Sequence, residues 1–389
     1  MRRYLVLCIL AFCGSLLLIS TVCLLVCAQS SLCFFVDRWA CSPDWSPDGE
    51  RIAFTCHYPS LFQVSEDLTR DLDGGWLFHW GYIPQAAEIC TTYSDGSHLV
   101  KLTVSQVHDG LPVWSPNGRF IAHISVSGMR DTVHIVKENS SQLMELAENL
   151  DVQWEKLAWS PDGEGLCFAA EDPLEPDQGV NLYMATLKSE DVHTLTTLPG
   201  DELEVRWSPD GTRLAFVWFP EGFKWLLSES AAIRITNTEG NGNVVVEGFA
   251  RIGDLTWSPD GTRLAFWAYS SADCAYDCTE VYVVDLSSNS VECLTERYEI
   301  SVIGETAWSP DGQRMAFTAR AREGAAIYMI APNGEELSRV TPCAVHAPTD
   351  LAWAPDGESI AFVRGIEGDK SRIWLVQMEG GGLRELETP

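Results

Sequence analysis

The ten residues WSPDGTRLAF occur twice without change, at 207–216 and at 257–266. Ser-Pro-Asp-Gly is turn chemistry. Ser is favoured at the first position of a type I turn, and the fixed φ of Pro suits the second. Asp is accommodated at the third position, and Gly suits the fourth, where φ is positive. The residues before and after read as strand, so the phrase is a tight hairpin closed by a glycine bulge. Five near-copies accompany it: WSPDGERIAF from Trp45, WSPNGRFIAH from Trp114, WSPDGEGLCF from Trp159, WSPDGQRMAF from Trp308 and WAPDGESIAF from Trp353. Asn117 in the second copy keeps the turn, and Ala354 in the last gives up one local hydrogen bond. Catalytic chemistry would not tolerate seven dispersed near-copies, so the phrase reads as scaffold. The large Trp before each turn is placed to fill the gap between neighbouring repeats.

Successive Trp residues are 69, 45, 48, 50, 51 and 45 positions apart. A strand-rich period of this length marks a propeller or a related array. Each repeat has a second half, such as LYMATLKSEDVHTLT, VYVVDLSSNSVECLT or IYMIAPNGEELSRVT. It reads as a strand, a turn of Asp, Asn, Ser and Gly, and a shorter strand. Four strands per repeat, a to d, make a propeller blade. The expected fold is all-β: a seven-bladed β-propeller of four-stranded antiparallel blades over 41–389, preceded by one amino-terminal hydrophobic helix. Residues 29–40 are expected to be a linker or a latch strand, with CFFVDR at 33–38 available to close the ring.

The motif WSPDGxxIAF followed by IYxxxxDGxxxxLT resembles the repeat of TolB-type β-propellers, also found in the propellers of tricorn-like and prolyl-oligopeptidase-like peptidases. The resemblance covers residues 41–389 and implies the fold; function varies widely among such propellers. It is a resemblance to the propeller region alone. TolB carries a separate domain before a propeller of fewer blades, and here only residues 29–40 separate the apolar segment from the first repeat. A role in the Tol–Pal system is therefore not expected.

Residues 4–28, YLVLCILAFCGSLLLISTVCLLVCA, form an uncharged apolar run behind Arg2 and Arg3. Its length suits a membrane span, and its Val-Cys-Ala end suits signal cleavage. Residues 1–28 are thus a membrane anchor or a signal peptide, and the chain beyond Gln29 is expected outside the cytoplasm. The formal charge of −29, with 26 Lys and Arg against 55 Asp and Glu, excludes a nucleic-acid backbone partner. It suits a basic partner or simple solubility. A monomer is expected. Of 13 Cys, four lie in the apolar run. Cys274 and Cys278 are a candidate disulfide, and Cys33 and Cys41 a second candidate pair.

Enzyme signatures are missing. There is no G-x-S-x-G elbow as in the peptidase relatives, no Walker loop, no Rossmann glycine pattern and no CxxCH. The histidines at 57, 79, 98, 108, 123, 134, 193 and 346 form neither HxH nor HExxH. No cofactor and no metal site are expected, although three histidines could converge in the folded channel. DLDGG at 71–75 lacks the further ligands of a calcium loop.

The b–c connections are irregular where the a–b turns are uniform. The first carries Tyr58, Phe62, Trp76, Phe78, Trp80 and Tyr82. The fourth carries Phe219, Phe223 and Trp225 beside Trp218, and the fifth Tyr269 and Tyr276 beside Trp267. Long aromatic loops suit protein or glycan recognition, and they equally suit a satellite cluster capping the propeller. On the same face, three residues before the motif Trp, stand Glu204, Asp254, Glu305 and Asp350, with Ser42, Leu111 and Lys156 in the first three repeats. These acids are candidates for a ring at the channel mouth that attracts a cation, or for structural hydrogen bonds. The expected function is non-enzymatic binding of a protein or glycan on the b–c face. The alternative is a hydrolase or lyase centred in the channel.

Overall fold

Strand alternation with a turn every few residues builds this protein outward from its hairpins. The computed structural model describes residues 40–57, 87–104, 107–127, 130–137, 143–175, 178–189, 191–220, 231–269, 279–366 and 370–386. The expected amino-terminal helix and latch strand lie outside these residues. The chain divides into two compact bodies, Met1–Asp37 and Arg38–Pro389, and all described residues belong to the second. No helix among the described residues is long and apolar enough to cross a membrane.

The strands fall into successive antiparallel units, each running a-b-c-d. Unit one is β1 (Ala40–Trp45), β2 (Arg51–His57), β3 (Ala87–Tyr93) and β4 (Val100–Lys101). Unit two is β5 (His108–Trp114), β6 (Ile121–Ser127), β7 (Arg130–Val136) and β8 (Leu143–Leu146). One parallel pair, Ala87 with His108, joins these two units into a single sheet. Unit three has a split inner strand, β9 (Asp151–Val152) and β10 (Ala158–Trp159), both paired with β11 (Gly165–Glu171), then β12 (Val180–Thr186) and β13 (Asp191–Thr194). Unit four is β14 (Asp201–Trp207), β15 (Arg213–Phe219), β16 (Ala231–Asn237) and β17 (Gly242–Phe249). Unit five is β18 (Arg251–Trp257), β19 (Arg263–Tyr269), β20 (Thr279–Asp285) and β21 (Ser290–Cys293). Unit six is β22 (Ser301–Trp308), β23 (Met315–Ala321), β24 (Gly324–Ile330) and β25 (Ser338–Arg339). Unit seven is β26 (Thr349–Trp353), β27 (Ser359–Ile366), β28 (Lys370–Gln377) and β29 (Leu383–Glu385).

The repeated phrase closes every a–b hairpin. In unit four the Gly211 amide donates to Ser208 O at 2.9 Å, the i to i+3 bond of the turn, and Gly211 takes φ +69°. The Ser208 hydroxyl donates to Asp210 Oδ1 at 2.6 Å, and the Thr212 amide donates to the same oxygen at 3.0 Å. Each turn also touches its neighbour. Gly211 faces the Pro161 ring of the preceding unit, Gly261 faces Pro209, Gly312 faces Pro259, Gly357 faces Pro310, and Gly49 of unit one faces Pro355 of unit seven. Asn117, the one departure from Asp, keeps both bonds through its Oδ1 and adds its amide, donating to Asp162 O and Gly163 O of the next turn at 3.1 and 3.2 Å.

The motif Trp lies between units. Trp257 Nε1 donates to Arg206 O at 3.2 Å, Trp159 Nε1 to Val113 O at 3.0 Å, and Trp353 Nε1 to Ala307 O at 3.1 Å. Trp45 does the same to Ala352 O at 3.2 Å, joining the first unit to the last. Arg side chains cover some of these indoles: Arg213 lies 5.0 Å from the Trp257 ring centre and Arg263 5.1 Å from that of Trp308. The last residue of the phrase fills each sheet's interior. Phe54, Phe168, Phe216, Phe266, Phe317 and Phe362 are all fully buried. The Thr that ends the repeat ties strand d to strand c. Thr103, Thr196, Thr295 and Thr341 accept the amides of Ile89, Leu182, Val281 and Ile327 at 2.9–3.1 Å.

Cys56 and Cys90 form a disulfide across β2 and β3, at the root of the first b–c connection. Closing a 34-residue separation contributes about 3–4 kcal/mol by restricting the unfolded chain. This pairing is not the one expected from spacing: Cys33, Cys274 and Cys278 lie outside the described residues.

Candidate functional site

Each complete inner strand slips register at the same place. The shift falls between Cys41 and Asp44, Gly110 and Val113, Leu203 and Arg206, Gly253 and Thr256, Gly304 and Thr306, and Thr349 and Ala352. These are bulges, which re-aim a side chain and increase local twist. The residue three before the motif Trp sits inside each one. Ser42, Leu111, Glu204, Asp254 and Asp350 are left-handed there, with φ between 54° and 56°. A side chain in that region costs about 1–2 kcal/mol, so the bulge must be held by what surrounds it.

The acids supply that hold. Glu204 Oε2 accepts the Leu255 amide of the next unit at 3.2 Å. Asp254 accepts the Thr306 amide, and Glu305 accepts the Leu351 amide. Two acids outside that column, which sequence reasoning did not single out, extend the pattern. Glu155 Oε2 accepts the Glu204 amide at 2.6 Å, and Asp44 Oδ2 accepts the Trp114 amide at 2.7 Å. These acids thus link unit one to unit two and each of units three to six to the one after it. Their partners lie 46 to 70 residues away, so sequence spacing could mark the position and not the bond.

Unit three interrupts this acidic series. Its inner strand opens between β9 and β10 and carries Trp154, Glu155 and Lys156 in the gap. Burial alone would lower the Lys156 ammonium, yet Glu305, Asp254 and Asp350 of units five to seven together raise it. Their field acts across the axis. Arg206 of unit four also bears on Asp254 and Glu204. Burial, with the like charges of Glu155 and Asp254, pushes Glu204 up to about 8. Burial raises Glu305 to about 8 as well, against Lys156 and with Asp350 and Asp254. Burial raises Asp254 despite Lys156 and Arg206. The result is one axial cluster of carboxylates around a lysine and an arginine. A cavity of about 300 Å³ opens beside it, lined by Ser42, Leu111, Lys156, Arg206 and the motif residues Trp114, Trp159 and Trp207.

The end from which the b–c connections leave carries aromatics on the described strands. Trp154 lies over Gly110, where an added Cβ would stand 2.8 Å from its ring, and is 5.3 Å from the His108 ring. Trp267 covers Gly253 in the same way, with Tyr269 edge-on at 6.0 Å and Arg251 5.7 Å from its ring centre. Trp218 donates to Pro199 O at 2.9 Å beneath Arg234. Of the aromatics expected to bind a ligand, Tyr269 is half-buried on this end. Phe219 is 3% exposed and packs in the core beside Ala231, because strand alternation turns it inward from Trp218. Tyr58, Phe62, Trp76, Phe78, Trp80, Tyr82, Phe223, Trp225 and Tyr276 lie outside the described residues. The opposite, turn-bearing end holds a larger cleft of about 700 Å³ between units five and six, lined by Arg263, Asp285, Glu292, Arg314, Asn333 and Glu336 among others. Its polar groups are largely engaged locally: Asp285 Oδ1 accepts from Ser287 and Ser288, and Arg263 lies on Trp308. The axial cluster, where charges converge from several units, is the stronger candidate.

Unit two departs from the rest. Where six repeats end in Phe, the second ends in His123, which pairs across strands with His134. Asp109 on β5 is close enough for its carboxylate and the two imidazoles to offer ligand atoms all within 4.8 Å of one another. The sequence signal was present as a single deviation from the phrase.

The family profile described as TolB beta propeller domain matches residues 226–388. The profile described as Dipeptidyl peptidase IV (DPP IV) N-terminal region matches residues 177–273. No curated protein sequence matches the chain. Among solved structures, TolB from Acinetobacter baumannii is 19% identical with a TM-score of 0.51, and the match covers 69% of this chain and 62% of TolB. The chain thus spans less than two thirds of TolB's own length. Oligogalacturonate lyase from Vibrio parahaemolyticus is 13% identical with a TM-score of 0.61, covering 89% of this chain and 91% of the lyase. The β-propeller domain of the Trilobed protease from Pyrococcus furiosus is 13% identical with a TM-score of 0.63, covering 91% and 97%. At these identities the likeness is one of fold. With the profile that matches residues 226–388 and the repeated turn phrase, it supports a TolB-type β-propeller fold.

Proposed function

We propose that this chain is a seven-bladed, non-enzymatic propeller outside the cytoplasm that binds a protein or glycan at the end from which its b–c connections leave. The observation that carries the reading is the unequal character of the two ends. At one end near-identical turns pack Gly against Pro from unit to unit. At the other, the longest connections follow β2, β15 and β19, and Trp218, Trp267 and Tyr269 stand near the ends of the last two strands. Aromatics give large contact area with a polar handle, and the acidic surface favours a basic ligand. The hydrogen bond from Trp45 to Ala352 supports seven blades closing on one another. The apolar run at 4–28 and the Cys56–Cys90 disulfide support an oxidising, extracytoplasmic setting, anchored or secreted.

A second reading, a channel-centred hydrolase or lyase, is favoured by Glu204 and Glu305. A carboxyl pushed up to about 8 can stay protonated near neutrality and donate a proton. Panels of basic peptides and of glycans separate the two readings. The first expects the purified protein to retain a ligand that is recovered intact. A ligand recovered shortened, or no retention on either panel, overturns it.

A further inference from the structure

A continuous row of polar side chains crosses unit two on one face of its sheet. Asp109 on β5 pairs with Ser125 on β6, and the Ser125 hydroxyl donates to Asp109 Oδ1 at 2.6 Å. His123, two residues before Ser125 and therefore on the same face, pairs with His134 on β7, which pairs with Glu145 on β8. In units three, five and six the same cross-strand position is aromatic packing: Phe168 stacks on Tyr183, Phe266 on Tyr282 and Phe317 on Tyr328. Unit two replaces that pair with two imidazoles, 5.5 Å apart and edge-on.

The replacement leaves a deficit. His123 is 0% exposed, and neither of its ring nitrogens reaches a hydrogen-bond partner. Its Nδ1 stands 3.9 Å from Asp109 Oδ1, too far for a hydrogen bond. His134 Nε2 is 3.2 Å from the Thr132 hydroxyl and 3.7 Å from Glu145 Oε1. A buried polar group without a partner destabilises the fold, and a bound cation would relieve that deficit.

We propose that Asp109, His123 and His134 hold a divalent transition metal of the zinc class, bridging the three inner strands of unit two. Two imidazoles and a carboxylate are a donor set that such ions take. With metal–ligand bonds of about 2.0–2.1 Å, tetrahedral ligand atoms lie roughly 3.3 Å apart. The present spacings, all within 4.8 Å, need to contract by up to about 1.5 Å, within reach of side-chain rotation. The fourth position falls to water or to Glu145, whose side chain is 44% exposed and marks the outer end of the row. Ile121 and Val136, on the same face as the imidazoles, pack on Ala53 and Ile89 of unit one, so the ion would be enclosed between units. The site is structural and lies within unit two.

The test uses the full chain, stripped with chelator and titrated with Zn²⁺ or Co²⁺. The expected result is one equivalent bound, a Co²⁺ visible spectrum of a low-coordinate nitrogen–oxygen site, and a rise in Tm with Zn²⁺. His123→Phe restores the residue of the other six repeats, so it is expected to fold while binding at least about 100-fold more weakly. His134→Tyr, which restores the partner found in units three, five and six, is the second variant. No stoichiometric binding, or binding and Zn²⁺-dependent Tm unchanged in either folded variant, overturns the proposal.

Discussion

Trp257 shows what one residue does in this molecule. It is 7% exposed, donates to Arg206 O of the preceding unit, and carries Arg213 on its ring. Trp257→Ala is expected to cost about 3–5 kcal/mol, since it removes a large buried ring and opens a gap between units. Trp257→Phe keeps most of the packing and loses one hydrogen bond, so about 1–2 kcal/mol is expected; urea unfolding measures both. Gly253 is the converse case. Its missing Cβ is what lets the Trp267 indole lie across β18. Gly253→Ala is expected to cost about 1–3 kcal/mol by overpacking, and a change in indole near-ultraviolet dichroism would report the displaced ring. An unaltered spectrum and stability would contradict the close approach. Trp, Pro and Gly of the phrase were legible in the sequence because their roles depend on neighbours within a few positions. His123 was legible only as a departure from Phe. Its meaning depends on His134 and Asp109, which strand pairing alone brings near.

Elements here are held by bonds that join different strands and different units. The Cys56–Cys90 bridge spans β2 and β3 and closes the first b–c connection. Replacing both residues with Ser is expected to lower stability by about 3–4 kcal/mol, and a reducing agent should lower the wild-type Tm without affecting the variant. Spacing did not reveal this pair, since the intervening residues 57–89 give no local reason for their ends to meet. The bulges follow the same logic. Position three before the Trp was visible as an acidic column, yet the amides those acids accept belong to the next repeat. Glu305→Ala leaves the Leu351 amide without its acceptor, and a loss of about 1–3 kcal/mol is expected. Glu305→Gln keeps an acceptor oxygen and should lose much less at acid pH.

At the scale of the whole molecule, the axial cluster sets how stability depends on pH. Glu204 and Glu305 have folded pKa values raised to about 8 from 4.5, so the folded state holds more protons than the unfolded chain between those limits. Stability therefore falls as pH rises from about 4.5 to about 8. Lys156 is raised, so its contribution is present below its unfolded pKa and is lost only as pH climbs through the folded value. The turn acids act oppositely. Asp210 and Asp260, held down to about 2 by Ser208 and Ser258 and by the following Thr, contribute above their unfolded pKa and lose that contribution as pH falls towards 2. Tm is expected to peak near pH 4–5 and to be lower at pH 9. Glu305→Gln should raise Tm at pH 9 and leave it nearly unchanged at pH 5; a flat wild-type profile would contradict the cluster.

The repeat made the propeller legible, and the uniform turns identified one end as framework. The central claim is that recognition belongs to the other end. The most direct measurement compares, by calorimetry, the affinity of two sets of variants for a ligand captured by the wild-type chain. One set joins Trp76→Ala, Trp80→Ala and Trp225→Ala. The other joins Thr212→Lys and Gln313→Lys, both exposed on the turn-bearing end. The first set is predicted to lose affinity by at least about tenfold, 1.4 kcal/mol, while the second binds as the wild type does. Unchanged binding by the folded triple variant, or loss confined to the turn-end variant, would contradict the claim.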